Sequence, residues 1–476
     1  MRSTRRSPIA NFFYYTYLTY FLFFVLRNYY THIGRKSSLG PPVAVNSEAL
    51  LGFLVGTNGK RASKVIWSSD YHISPIRDFK GVLQNIQSDP FEVVDKSLSG
   101  HCTLTGTCAE GNLKILNKST GMALGDCPNK FKEQFWEVYS TDSDFKRVDA
   151  FICNHAISLC ELFMSFGKPM ILVASTRYEI GRLSQNAWNR WNKNLIAITA
   201  KNGNILVANN RYDAEYIKHF TGLNVPVLPS LCLYVDSTYK PSKQEILIGP
   251  GRLSPGAAKL IAELQRTVKS SQKAKGLEFV KIRDLYKKYE YADLAQHRAI
   301  LLIPYQVSIM SIFEYYTMGI PLFAPSLELL VRWQLDHLVM RELSWNCATG
   351  RCKEHSAIAH DTASSHTCDP NDILNEECLR QWLKYADFYQ WPGIVLFDSW
   401  DDLFAKIAES DLDSIHKVMV LYKEEQINRT LSMWRHILQS ISSATNSTEF
   451  FPHRTWKDAM LHEYPDLDER TYLENC

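Results

Sequence analysis

Glu314 lies in the stretch Leu302–Ser326, LIPYQVSIMSIFEYYTMGIPLFAPS. The apolar run Ala299–Pro304 predicts a buried strand, and a polar loop follows it. Met310–Met318 predicts a short helix, and Gly319-Ile320-Pro321 a turn into a second short strand. A helix that begins just past a parallel strand turns its unpaired N-terminal amides toward the carboxyl end of the sheet, where open α/β sheets bind ligands. Glu314 sits one turn into that helix, where a carboxylate suits ribose hydroxyls. The helix amides, with Gln306, Ser308 and Ser311 beside them, suit a diphosphate. A nucleotide-sugar carries both groups.

The same stretch resembles the donor loop of glycosyltransferases with the GT-B fold. Many retaining members carry Glu, seven residues, Glu, then Ala-Met-Ala-x-Gly-x-Pro. Glu314, Met318, Gly319 and Pro321 fit the second half, and Gln306 stands where the first Glu falls. Upstream, Ile248–Leu264 (IGPGRLSPGAAKLIAEL) resembles the family's Gly-Arg-Leu…Lys segment, whose Arg and Lys hold the donor diphosphate. Arg252 and Lys259 match in type, at a spacing two residues longer than usual. The resemblance is confined to this part of the chain. It implies an α/β fold of two Rossmann-like domains facing a central cleft. It also implies a nucleotide-sugar donor, a glycan or glycoprotein acceptor, and no cofactor or metal, because basic groups and helix amides take up the diphosphate charge.

The rest of the chain has to position such a site. Lys64–Ser69 reads as a strand, Ser74-Pro75 as the N-cap and first residue of a helix reaching Ile86, and Phe145–Cys153 as a second strand. A helix Ile157–Phe166 ended by Gly167 and a strand Met170–Ala174 come next, then apolar runs at Leu195–Ala200 and Ile205–Ala208. A polar pause at Val235–Glu245 reads as a domain linker. Beyond it the alternation resumes, with a helix Ala257–Thr267, a strand Leu277–Ile282 and a helix near Tyr286–Leu294. Closing helices Asp372–Tyr389 and Asp401–Ser442 are expected on the second domain, crossing back to the first. The boundaries are a cytosolic tail 1–9, a transmembrane anchor 10–30, a stem 31–60, an acceptor domain 61–240 and a nucleotide-sugar domain 241–476.

In the first domain three strand-exit loops carry polar groups: Asp70/His72, Asn154/His155 and Arg177/Glu179/Arg182. His72, His155 or Asp70 could take the proton of an acceptor hydroxyl if the reaction inverts. If it retains, no dedicated base is needed. Arg177 and Glu179 fit the acceptor side, or else pair with each other or with Arg182. Asp142-Ser143-Asp144 has the spelling of the metal-binding pair of the other large glycosyltransferase fold, but it precedes a strand and reads as a turn. A non-catalytic glycan-binding protein and a nucleotide-sugar hydrolase or epimerase are the competing functions.

The chain has 476 residues, too many for one core, with 45% hydrophobic and 22% charged residues. Its net charge of +3 comes without a basic stripe, which argues against nucleic-acid binding. Ser7–Leu26 is uncharged, and at 1.5 Å per residue it spans roughly 30 Å, the thickness of the bilayer core. It predicts a single-pass type II protein whose body lies in the Golgi or ER lumen. All 11 cysteines lie past residue 100, clustered as Cys102/Cys108/Cys127, Cys347/Cys352 and Cys368/Cys378, so several disulfides are expected. Asn117, Asn428 and Asn446 head glycosylation sequons. His355, His360 and His366 lie among the later cysteines, but their spacing matches no compact zinc module, and a disulfide-pinned insertion is expected there.

Overall fold

The computed structural model describes residues 63–86, 91–109, 115–116, 128–175, 177–182, 184–343, 347, 368–445 and 455–467. The expected anchor and stem, Asn117, Asn446, Cys127, Cys352 and the three histidines His355, His360 and His366 lie outside them. Among the described residues no helix is long and apolar enough to cross a membrane.

Two five-stranded parallel sheets organise the body. The first holds β1 (Lys64–Ser68), β2 (Phe91–Asp95), β3 (Ala150–Cys153), β4 (Met170–Ala174) and β5 (Ile205–Ala208), in the order β2-β1-β3-β4-β5. The second holds β6 (Lys243–Gly249), β7 (Phe279–Lys281), β8 (His297–Leu302), β9 (Leu322–Pro325) and β10 (Ile394–Phe397), in the order β10-β9-β8-β6-β7. Counted from its own first strand, each sheet therefore reads 2-1-3-4-5. That order reverses direction between the first and third strands, opening a crevice at their carboxyl ends. The two crevices lie between β1 and β3, and between β6 and β8. The central strands β3, β4 and β9 are buried at every residue, as strands covered by helices on both faces must be.

The 34-residue helix Leu412–Thr445 joins the halves. Its first half packs on the helix Met310–Met318 of the second half, and its far end crosses to the first sheet. There Leu431, Trp434, Ile437, Leu438 and Ile441 share a core with Ile66, Ile152, Ile171 and Val207, and Trp434 lies 5.0 Å from Phe79. Burying each such side chain contributes about 1.5–3 kcal/mol.

Several sequence expectations need correction. The first helix runs Ile73–Asn85 with His72, not Ser74, at its N-cap. Proline is tolerated throughout a first turn, whose amides lack acceptors, and the earlier start buries Pro75 and Ile76. The strand expected from Phe145 begins only at Ala150. Asp142 instead caps a helical turn Ser143–Lys146 by accepting from Phe145 N at 2.9 Å. Phe145 is nonetheless in the core, 5.1 Å from Trp67, so its apolar signal was one of packing rather than of strand. Ile157–Phe166 forms two 3₁₀ helices, Ile157–Leu162 and Met164–Phe166, and Cys160 is tied to β3 through Cys153. Leu195–Ala200 ends the helix Gln185–Ala200. The expected helix near Tyr286–Leu294 is two shorter ones, Ile282–Leu285 and Tyr291–Ala295, and the strand before it shrinks to Phe279–Lys281. β2 and β10 were not anticipated at all. Both are edge strands, half exposed, without the continuous apolar run of their neighbours.

Cys102–Cys108 and Cys368–Cys378 are bonded within their sequence clusters, and Cys153–Cys160 adds a bridge the clusters did not suggest. Cys232 is buried and unbonded.

Candidate active site between the two sheets

The first crevice is held by one carboxylate. Asp70, just past β1 and 1% exposed, accepts from the backbone amides of His72 (3.0 Å), Asn154 (3.0 Å) and His155 (2.9 Å). It thereby ties the exit loop of β1 to that of β3. Burial pushes Asp70 up to about 7, against the pull of those amides. The His72 and His155 rings meet edge to face at 4.2 Å. Burial pushes the His155 imidazole down, and the neighbouring His72 and Arg177 add to the effect. His72 keeps an exposed edge. The protein packed around it still lowers its pKa, helped by His101 and by Arg252 of the other sheet. Both shifts favour the neutral imidazole, the form a proton acceptor must start from, while weakening it as a base.

The second crevice is open. β6 runs into Gly249-Pro250-Gly251-Arg252. Packing at Gly249 is tight: a Cβ would lie 3.2 Å from both Ile282 Cδ1 and Ile300 Cγ2, which would have to give by a few tenths of an ångström. Arg252 projects with 69% of its side chain exposed, pairs with Glu342 at 2.9 Å and lies 5.6 Å from the Tyr305 ring centroid. Arg283, at the carboxyl end of β7, approaches Gly251 from the other side, stacks on Tyr289 at 5.1 Å and donates to Lys287 O. Arg283 was missed by the sequence reading. It lies in no motif, and only the adjacency of β6 and β7 brings it here. Lys259 lies on the exposed face of the helix Pro255–Ser270, which Ser254 caps, and has no described partner.

The helix Met310–Met318 follows β8 as expected. Its N-cap, Ile309, offers no side-chain acceptor, so the first-turn amides have no capping side chain. It ends at Gly319 with φ +71°, where a Cβ would fall 2.4 Å from His416 Nδ1. Glu314 is 9% exposed, and its Oε1 accepts from Tyr234 (2.8 Å) and Tyr291 (2.9 Å). Burial raises its pKa while the two tyrosines and Arg77 pull it down. Arg77 lies over the Tyr234 ring at 4.4 Å, a contact from the first half to the linker. Gln306 and Ser308 are buried beside the loop, and Ser311 is half-buried.

The linker between the sheets, residues 222–242 rather than the expected Val235–Glu245, is clamped. Asp78 accepts from Leu231 N (3.1 Å) and Cys232 N, while Lys423 and Thr317 both donate to Leu231 O. Elements of both halves and the long closing helix therefore fix one peptide.

Arg177 and Glu179 do not pair as the sequence suggested. Arg177 pairs with Asp213 at 2.9 Å, and Arg182 with Glu161. Glu179 is fully buried with neither carboxyl oxygen in a hydrogen bond, and burial pushes it up to about 8 although Arg177 is near. Among the described residues no group of three or more His, Cys, Asp or Glu side chains is arranged to hold a metal.

No protein-family model and no curated protein matches this chain. Among solved structures, the chain is similar to the glycotransferase of kitacinnamycin at 13% identity and TM-score 0.37, covering 80% of this chain and 100% of that one. It is also similar to the glycosyltransferase SnogD from Streptomyces nogalater at 14% identity and TM-score 0.31, covering 73% of this chain and 99% of that one. The site stands on its own geometry.

Proposed function

We propose that this chain is a GT-B-type glycosyltransferase that moves a sugar from a nucleotide-sugar to a hydroxyl of a glycan or glycoprotein. The observation that carries the reading is the unlike chemistry of two crevices built on the same strand order: guanidiniums and helix amides at one, imidazoles at the other. The donor diphosphate lies against Arg252, Arg283 and the amino end of the helix Met310–Met318, and Glu314 takes donor hydroxyls. The acceptor hydroxyl enters beside His72 and His155. The acceptor oxygen attacks the anomeric carbon, one imidazole takes its proton, and the bond to phosphate breaks with its electron pair leaving on the diphosphate. The guanidiniums stabilise that leaving charge. A base in this position goes with inversion at the anomeric carbon.

The disulfides and the uncharged Ser7–Leu26 run support a lumenal body on a type II Golgi or ER anchor. Glycosidase digestion of protein from secretory cells should shift its mobility; unshifted, cytosolic protein would contradict this placement.

One observation favours a second reading, a glycan-binding protein without transfer activity: Oε1 of Glu314 is already occupied by two tyrosines. A thermal-shift screen against UDP- and GDP-sugars, followed by transfer assays with the donor selected, separates the two. Donor binding with turnover is expected. Absence of any donor binding would overturn the transferase reading.

A further inference from the structure

A cavity of about 200 Å³ opens beside the linker, away from Arg252 and His72. Four separate parts of the chain wall it: the exit of β5 at Asn210, the linker, the segment Asp387–Trp391 ahead of β10, and the closing helix through Tyr422, Gln426 and Arg429. Its size decides what it can hold. Pockets for drug-sized ligands are roughly 300–1,000 Å³, so this one admits a single ring and not a nucleotide.

Its chemistry is that of a polyol site. Trp391 supplies a half-buried aromatic wall, its ring held by Phe313 at 4.7 Å and Tyr316 at 5.0 Å. Asp387 is 3% exposed, and its Oδ2 has no hydrogen-bond partner. A buried polar atom left unpaired costs stability unless a ligand or water meets it. Gln426 and Arg429 add donors from the next turns of the closing helix. Burial pushes Asp387 up to about 8, so the interior presents a largely neutral carboxyl at pH 7, and the guanidiniums of Arg211 and Arg429 also line the cavity.

We propose that this cavity binds one pyranose residue of a saccharide, with its apolar face on Trp391 and its hydroxyls on Asp387 and Gln426. The assignment does not depend on the transferase reading, because it shares none of the residues given to the donor or to the base.

The test is saturation-transfer NMR on the full chain, using the methyl glycosides of glucose, galactose, mannose and N-acetylglucosamine as probes. At least one glycoside should bind the wild-type chain. Asp387→Ala should weaken it by at least 10-fold while the unfolding temperature stays level or rises, since an unpaired buried carboxyl is removed. Gln426→Leu should weaken it several-fold. UDP- or GDP-sugar binding should be unchanged in both variants. Glycoside binding that survives in both folded variants, or no binding to wild type, overturns the proposal. Glycoside binding lost in the variants of a chain that binds no nucleotide-sugar would sink the transferase reading and leave this one standing.

Discussion

At the crevice between β1 and β3 three backbone amides converge on the carboxylate of Asp70, and two neutral imidazoles stand beside it. At the crevice between β6 and β8 the helix has no side-chain cap, and two guanidiniums approach the glycine loop. The strand orders are the same, so topology does not cause the difference. Amides at the carboxyl end of such a sheet commonly bind phosphate. In the first crevice an internal anion already occupies them. In the second, among the described residues, no capping side chain does. One fold unit thus serves twice, once with its anion site filled by its own side chain and once with it open to a ligand.

The largest effect should come from the imidazoles. Replacing His155 or His72 by Gln should lower kcat by roughly 10²–10⁴-fold, the usual contribution of a general base. Donor affinity, measured by calorimetry, should not change. A Gln variant at both positions that keeps wild-type turnover would move the base elsewhere or mark the reaction as retaining.

Asp70→Ala removes the acceptor of three amides and should cost about 2–4 kcal/mol in denaturant unfolding. A loss below about 0.5 kcal/mol would mean the first crevice is not held by this anion, and the contrast between crevices would lapse.

Stability should also depend on pH through the buried acids. Glu179 and Asp387 are pushed up to about 8 and Asp70 to about 7, above their unfolded values near 4. A folded pKa raised in this way leaves stability intact below about pH 4 and erodes it as pH rises toward 8. Glu179→Gln should therefore be about 1–3 kcal/mol more stable than wild type at pH 8, with the gain gone near pH 4. The lowered histidines act in the opposite sense, removing stability as pH falls below about 6.5. Equal stability of Glu179→Gln and wild type at pH 8 would show that Glu179 is met by a partner in solution.

Glu314→Gln is the smallest and sharpest case. The amide oxygen can still accept from Tyr234 and Tyr291, so unfolding should change by no more than about 0.5 kcal/mol. Transfer should fall roughly 10-fold if the carboxylate also takes donor hydroxyls, because bonds to a charged acceptor are the stronger ones. Full activity would leave Glu314 as the anchor of two tyrosines only.

Much of the second crevice was legible in the sequence, because its parts are local. The helix Met310–Met318 and its terminal Gly319 have the expected bounds, set by an apolar run and a residue that must take positive φ. Its neighbour, expected over Ala257–Thr267, runs Pro255–Ser270, because Ser254 caps it with Pro255 in the first turn, a local signal the reading passed over. The first crevice was legible only as a set of strand-exit loops. That Asp70 serves the amides of residues 84 and 85 positions away is a fact of strand adjacency, which spacing does not encode. Arg283 and Asp387 escaped for the same reason. Phe145 misled because an aromatic cluster and a buried strand share one hydrophobic signal.

The central claim is that the second crevice is an open site for a nucleoside diphosphate. Isothermal titration of the folded chain with the nucleotide-sugar chosen by the thermal-shift screen tests it most directly, run beside Arg252→Ala and Arg283→Ala. Charge-assisted contacts to phosphate contribute about 1.5–3 kcal/mol each. Each variant should therefore bind roughly 10–100-fold more weakly at unchanged unfolding temperature. Wild-type affinity in both folded variants would contradict the account.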